Sequence, residues 1–186
     1  MKPALPLVVA VLAVAALAGC APEAPVVIPE PDPTSTPIFE SDEEALAAAE
    51  VAYGEYLRVV DEILGESGKN PDRIDAVAGT ELAQLEKEGF AAALDSGQRG
   101  VGDSKFDSME LQQFDPSAEE GDIAVSVYAC LDLSDRDVLD ATGKSVVPPD
   151  RQNRVPMELG FAPDPTSSAK LLLYVADIWT GDDFCD

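Results

Sequence analysis

The chain has no histidine among its 186 residues. That removes the Ser-His-Asp and Cys-His forms of nucleophilic catalysis and the usual histidine-containing zinc sites. Basic residues are also scarce, 12 against 36 acidic ones, for a formal net charge of −24. Nucleic-acid binders need Lys and Arg to neutralise phosphates, so no nucleic-acid partner is expected. The same charge opposes adsorption to anionic lipid headgroups. Such a surface suits solubility, cations or a basic partner. Cysteine occurs three times, at Cys20, Cys130 and Cys185. The N-terminal apolar run, Ala4–Ala18, follows a single charge, Lys2, and falls short of the roughly 20 residues a membrane-spanning helix needs.

A positive start, a short apolar core and small residues at its end describe a secretory signal. Here the end reads Leu17-Ala18-Gly19, followed at once by Cys20. Leu-Ala-Gly-Cys at this place resembles the lipobox of bacterial lipoproteins. The resemblance implies that Cys20 receives a diacylglyceryl thioether and that cleavage leaves it as the new N-terminus. The membrane is then a partner through the lipid, and the chain sits outside the cell on its outer face. Two acyl chains suffice for stable anchoring, at about 0.8 kcal/mol per buried methylene. The plainer alternatives are an ordinary cleaved signal or a short uncleaved anchor. Without residues 1–19, which hold Lys2 and no acid, the chain has 11 basic and 36 acidic residues and a net charge of −25. With Cys20 lipidated, Cys130 and Cys185 remain. In an oxidising compartment an even pair reads as a disulfide; two buried free thiols are the alternative.

Residues 20–40 hold the lipidated cysteine and a proline-rich tether, since proline blocks helix interiors and central strands. An extended tether of about 3.1 Å per residue lifts a domain several nanometres from the lipid; a proline-rich recognition motif is the sharper reading. The domain is expected over 41–186. Ser41 and Glu44 form a capping box, and Leu46, Ala49, Ala52, Tyr53, Tyr56, Leu57, Val60, Ile63 and Leu64 follow at helical spacing, ended by Gly65 and Gly68. Asn70-Pro71 opens a short helix to about Val77, and Thr80 caps a third whose inner side is Leu82, Leu85, Phe90 and Leu94. The period then changes. Residues 103–114 read as extended, and Ile123–Leu131 alternates as a strand. Residues 154–162, with Pro156 near a bulge or edge, and 169–180 give two more, while the acidic stretch 133–151 is expected to be a mobile loop. Helices first and strands after argue an α+β fold, N-terminal helices on one face of a four-stranded antiparallel sheet.

This order, with the paired Tyr53 and Tyr56 on a long first helix, an Asn-Pro helix, a third helix and then a curved sheet, resembles the nuclear-transport-factor-two-like (cystatin-like cone) fold. More narrowly, residues 124–146 resemble a segment of lipoproteins from high-GC Gram-positive bacteria. There a strand cysteine is followed by Asp-x-Ser and an Asp-x-x-Gly turn, here Cys130, Asp132, Ser134, Asp140 and Gly143, with the late Trp179 and Cys185. The superfamily spans enzymes, ligand binders and scaffolds, so the fold leaves function open. Its enzymes commonly place an Asp–His pair in the cone, which this chain lacks.

Among the remaining constellations, Tyr53, Tyr56, Tyr128, Phe161, Tyr174 and Trp179 either line a cone mouth as an apolar pocket or are plain core. Asp132, Asp135, Asp137 and Asp140 invite a calcium reading, but the EF-hand register is missing, and turns in which Asp and Ser bond nearby backbone are the competing reading. Gly97, Gly100 and Gly102 lack the lysine of a phosphate loop and read as a helix exit. Paired carboxylates could in principle act as acid and base. The expectation is a non-catalytic binding or scaffolding module at the cell envelope, without cofactor or metal, whose partner is an envelope protein or wall component. The alternatives are a binder of a small hydrophobic ligand in the cone and, less favoured, a carboxylate-dependent enzyme.

Overall fold

A computed structural model describes residues 38–185, without the side chains of 168 and 169. The expectations for the signal peptide, for Cys20 and for most of the tether fall outside the described residues. Helix α1 spans Asp42–Gly65, a 3-10 helix Pro71–Ala76, and helix α2 Thr80–Ser96. Six strands follow: β1 (Arg99–Val101), β2 (Lys105–Phe114), β3 (Val125–Asp132), β4 (Asp137–Leu139), β5 (Arg154–Asp164) and β6 (Ser167–Ile178).

Helix α1 begins where the capping chemistry places it. Ser41 Oγ accepts from the Glu44 amide at 3.2 Å, and the Glu44 carboxylate accepts from the Glu40 amide at 2.9 Å. Asp42, Glu43 and Glu44 occupy the positive end of the helix dipole. The helix ends at Gly65, and Gly68 (φ +79°) turns the chain; a Cβ there would stand 2.0 Å from the Phe90 carbonyl oxygen. The buried seam is Ala45, Ala49, Tyr53, Tyr56, Leu57, Val59 and Ile63. Leu46, Ala52, Val60 and Leu64, expected inside, are only partly buried.

Two caps differ from expectation. Asn70 is left-handed (φ 53°) and makes no side-chain cap, and Pro71 starts a 3-10 rather than an α turn. Thr80 is the first residue of α2, and the cap is Gly79. The ring of Tyr174 lies on Gly79, where a Cβ would meet it at 2.7 Å. The inner side of α2 is Leu82, Ala83 and Phe90, with Leu85 (64 % exposed) and Leu94 (48 %) outside. At about 100° per residue, Leu82, Ala83, Phe90 and the intervening Glu86 share one arc that excludes Leu85 and Leu94.

The main sheet has the order β2-β3-β5-β6, with every neighbour antiparallel. Val125, Val127 and Ala129 of β3 are fully buried beneath the helices. By the two-residue period of a strand, Ser126, Tyr128 and Cys130 point to the opposite, outer face. Phe161, Leu159 and Met157 stand opposite Val125, Val127 and Ala129 and complete the inner layer with Leu171 and Leu173. Ala78 bridges to Leu173 and lengthens the sheet at the β6 edge.

Pro156 lies in a central strand rather than at an edge. Its carbonyl accepts from the Trp179 amide at 2.8 Å, so its nitrogen faces the same way, towards the end of β6. Pro156 lies just beyond the Met157–Ile178 end of the β5–β6 register, so its missing donor falls where that pairing ends rather than inside it.

The stretch 133–151, expected as a mobile loop, contains β4, which pairs with β1 in a separate two-stranded sheet. Its neck is closed by the Leu133 amide on the Asn153 carbonyl at 2.7 Å. Arg151 clasps it by donating to the carbonyls of Leu133 (2.7 Å) and Arg136 (2.8 Å). A Cys130–Cys185 disulfide, with 55 residues of sequence separation, ties the C-terminal segment to β3.

Candidate functional site

The six aromatic residues singled out in the sequence do not converge. Tyr53 and Phe161 are 1 % and 0 % exposed in the core between helices and sheet, and Tyr56 lies beside Tyr53 with ring centroids 6.2 Å apart. The Tyr56 hydroxyl donates to the Glu86 carboxylate at 2.6 Å. Burial pushes both phenols well above the ordinary tyrosine range, and for Tyr56 the Glu86 charge adds to it. Tyr128 and Trp179 lie on the outer face, 4.7 Å between centroids, with Phe184 5.7 Å from Tyr128. Tyr174 sits apart at the β6 edge against Gly79.

Three concavities or faces stand out. An apolar groove of about 510 Å³ runs along α1 beside β6, floored by Ala48, Ala52, Val77 and Leu171, with Glu55 and Lys170 at its rim. Val51, at its lip, is 74 % exposed. A polar cleft of about 400 Å³ lies between α1 and β1, where Asp61 and Arg136 meet. The third is the outer face of the sheet.

The polar cleft is built from segments far apart in sequence. Arg136 is the one buried charged residue among the described residues, at 8 % exposure. Its Nη2 reaches Asp61 Oδ1 at 2.9 Å and its Nη1 donates to the Gly102 carbonyl at 3.0 Å. Asp61 also accepts from the Ser104 amide (2.6 Å) and hydroxyl (2.9 Å). A Cβ at Gly100 would stand 2.6 Å from the guanidinium, and one at Gly102 would stand 1.8 Å from the Asp135 carbonyl oxygen. The glycines after α2 therefore make room for Arg136. A charge pair so enclosed is viable because, among the described residues, no fully buried side-chain polar atom is left without a partner. Sequence reasoning missed this pair; the available signal was one arginine inside an acidic run, placed after a glycine-rich turn.

The four aspartates of the calcium reading bond separately. Asp132 accepts from the Ser134 amide at 2.8 Å and Asp140 from the Thr142 amide at 2.8 Å, while Asp137 accepts from the Ser145 hydroxyl at 2.7 Å and Asp135 pairs with Lys105. Among the described residues no group of three or more His, Cys, Asp or Glu side chains could hold a metal ion.

Asp132 and Asp140 belong to a recurring Asp-x-Ser/Thr turn that also occurs at Asp115 and Asp164. In all four the hydroxyl and amide two residues on hold the carboxyl below the ordinary aspartate range. A depressed folded value gives stability that is present above the unfolded aspartate value and lost as pH falls through the folded one. Acid also relieves repulsion among the many carboxylates, so the informative quantity is a difference. Thermal melts of the protein and its Asp140→Asn variant are expected to differ most above about pH 4, near the unfolded aspartate value, and to converge below it. A gap independent of pH would mean that the charge of Asp140 adds nothing to this turn.

No protein-family model and no curated protein sequence matches the chain. Among solved structures it is similar to a de novo designed β-sheet protein determined by solution NMR, at 9 % identity and a TM-score of 0.30, covering 77 % of this chain and 94 % of that one.

Proposed function

We propose that this chain is a lipid-anchored extracytoplasmic lipoprotein whose α+β domain is a non-catalytic binding or scaffolding module at the cell envelope. The observation that carries this reading is the Cys130–Cys185 disulfide. Of the three cysteines in the chain, it leaves Cys20 as the odd one, and Cys20 is the residue that ends the lipobox-like run. Stable disulfides also suit an exported protein rather than a cytosolic one. The long α1 lying across a four-stranded antiparallel sheet supports a cystatin-like cone. The separation of the aromatic side chains between core and outer face favours a module that presents surfaces over one that encloses a ligand. The partner on this reading is an envelope protein or wall component.

The test is replacement of Cys20 by alanine in the full chain, expressed in a bacterium that processes lipoproteins. The wild type is expected to take up radiolabelled palmitate and to fractionate with membranes. The variant is expected to lose the label and to leave the membrane fraction. An unlabelled wild type, or a variant still held in the membrane, overturns the anchor.

A small hydrophobic ligand is the second reading. One feature favours it, the apolar groove beside Val77 and Leu171, which places such a ligand on α1 rather than in the interior. Native mass spectrometry of the extracted protein distinguishes the two.

A further inference from the structure

The outer face of the sheet carries an unusual row. In register across all four strands stand Glu110, Tyr128, Glu158 and Asp177. Residues directly opposite on one face have Cβ atoms about 4.5–5.5 Å apart, and like charges so placed repel. Glu158 and Asp177 are such a pair, and Glu110 flanks Tyr128 from the other side. The cations of this face lie at its far end and are already engaged. Arg154 is held by both Asp107 oxygens at 2.8 Å and by the Cys185 carbonyl at 2.6 Å, and it lies 3.7 Å from Asp132. Lys105 pairs with Asp135. Among the described residues no lysine or arginine forms an ion pair with Glu110, Glu158 or Asp177. Beside the row, Trp179, Tyr128 and Phe184 form a half-buried aromatic patch whose ring planes are tilted to one another by 46° and 33°.

Carboxylates without a counter-ion and adjoining ring faces have one complementary chemistry. An ammonium or guanidinium gains from both, by charge and by cation–π attraction, which is strongest on Trp. A second copy of this chain, itself strongly acidic, does not supply it. The geometry points to the outer face, centred on Tyr128, Glu158, Asp177 and Trp179, as the docking surface for a short basic segment of a partner protein. A Lys or Arg of that segment sits between the two carboxylates and beside the indole, on the side that Gly181 does not cover. This rests on the binding-module reading and specifies its surface and the chemistry of its partner.

Trp179 is the single tryptophan of the chain, so its fluorescence reports this surface alone. The full chain in detergent micelles, at about 0.15 M salt where surface charges are screened beyond about 8 Å, is titrated with the peptide acetyl-Lys-Gly-Arg-Gly-Lys-amide. A saturable fluorescence change is expected. Glu158→Gln combined with Asp177→Asn is expected to weaken binding at least tenfold. Glu81→Gln with Glu88→Gln, which removes the same charge from the exposed side of α2, is expected to change it less than twofold. Equal weakening by both pairs would reduce the effect to the general negative field and overturn the surface. No fluorescence change up to millimolar peptide would overturn it as well. Either failure leaves the anchoring test of Cys20 untouched, so the surface and the module reading fall separately.

Discussion

Replacing Cys130 and Cys185 together by alanine is expected to lower the unfolding free energy by about 4 kcal/mol, the loop-closure entropy for a cross-link of this span. The span is 55 residues of sequence. The effect acts mainly on the unfolded chain, so the native contacts of the C-terminal segment should persist in the variant. Those are the Trp179 amide on Pro156, the Trp179–Tyr128 packing and the Arg154 bond to the Cys185 carbonyl. Urea unfolding followed by Trp179 fluorescence measures both quantities. The native emission should change little while the midpoint falls. A loss under about 1 kcal/mol would mean that the unfolded chain keeps this region together without the cross-link.

Asp61→Ala is the second large effect, a loss of about 3–5 kcal/mol, the usual result of removing one partner from a buried ion pair. The side chains of Arg136 and Asp61 are 7 % and 11 % exposed. Deleting the carboxylate strands the guanidinium and also orphans the Ser104 amide and hydroxyl. The double variant Asp61→Leu with Arg136→Met, which removes both charges and keeps much of the volume, is expected to recover a large part of the loss. Denaturant melts of the two singles and the double close the cycle. Additive losses would show that the two residues stabilise the fold independently and that the pair as such contributes nothing.

How much of this was legible in the sequence depends on the range of the interaction. The start of α1 was legible because Ser41, Glu44 and the acidic first turn act within four residues. Strand β3 was legible because a period of two persists over Ile123–Leu131, and β2, β5 and β6 read as extended apolar runs after the helical period had ended. The disulfide followed from counting cysteines. Strands β1 and β4 were not legible, because three residues carry no period and their pairing joins segments about 38 residues apart. Asp61–Arg136 and Tyr56–Glu86 were hidden for the same reason, since a charged residue on an amphipathic helix reads as solvated until its partner is known. Leu85 and Leu94 misled in the opposite direction, as apolar residues beside the buried arc rather than within it. The divergence of the aromatic residues was present in the alternation of β3. Tyr128 follows Val127 directly, and a strand cannot bury both on one face.

The neck at Leu133 and Asn153 has a consequence for how this domain can vary. The main sheet is a plain up-and-down meander if the twenty or so residues between those two hydrogen-bonded positions are set aside. Their length is therefore almost free, since doubling a loop adds only about 0.6 kcal/mol of closure entropy. The exceptions are the positions that tie this excursion to the body of the domain: Arg136 at Asp61 and Gly102, Asp135 at Lys105, and β4 along β1. The Asp140 turn, which lies beyond the last β1–β4 pair at Leu139, can be lengthened, trimmed or replaced by design. That turn is a graft site held on a riveted base, and new surface can be added there without disturbing the main sheet.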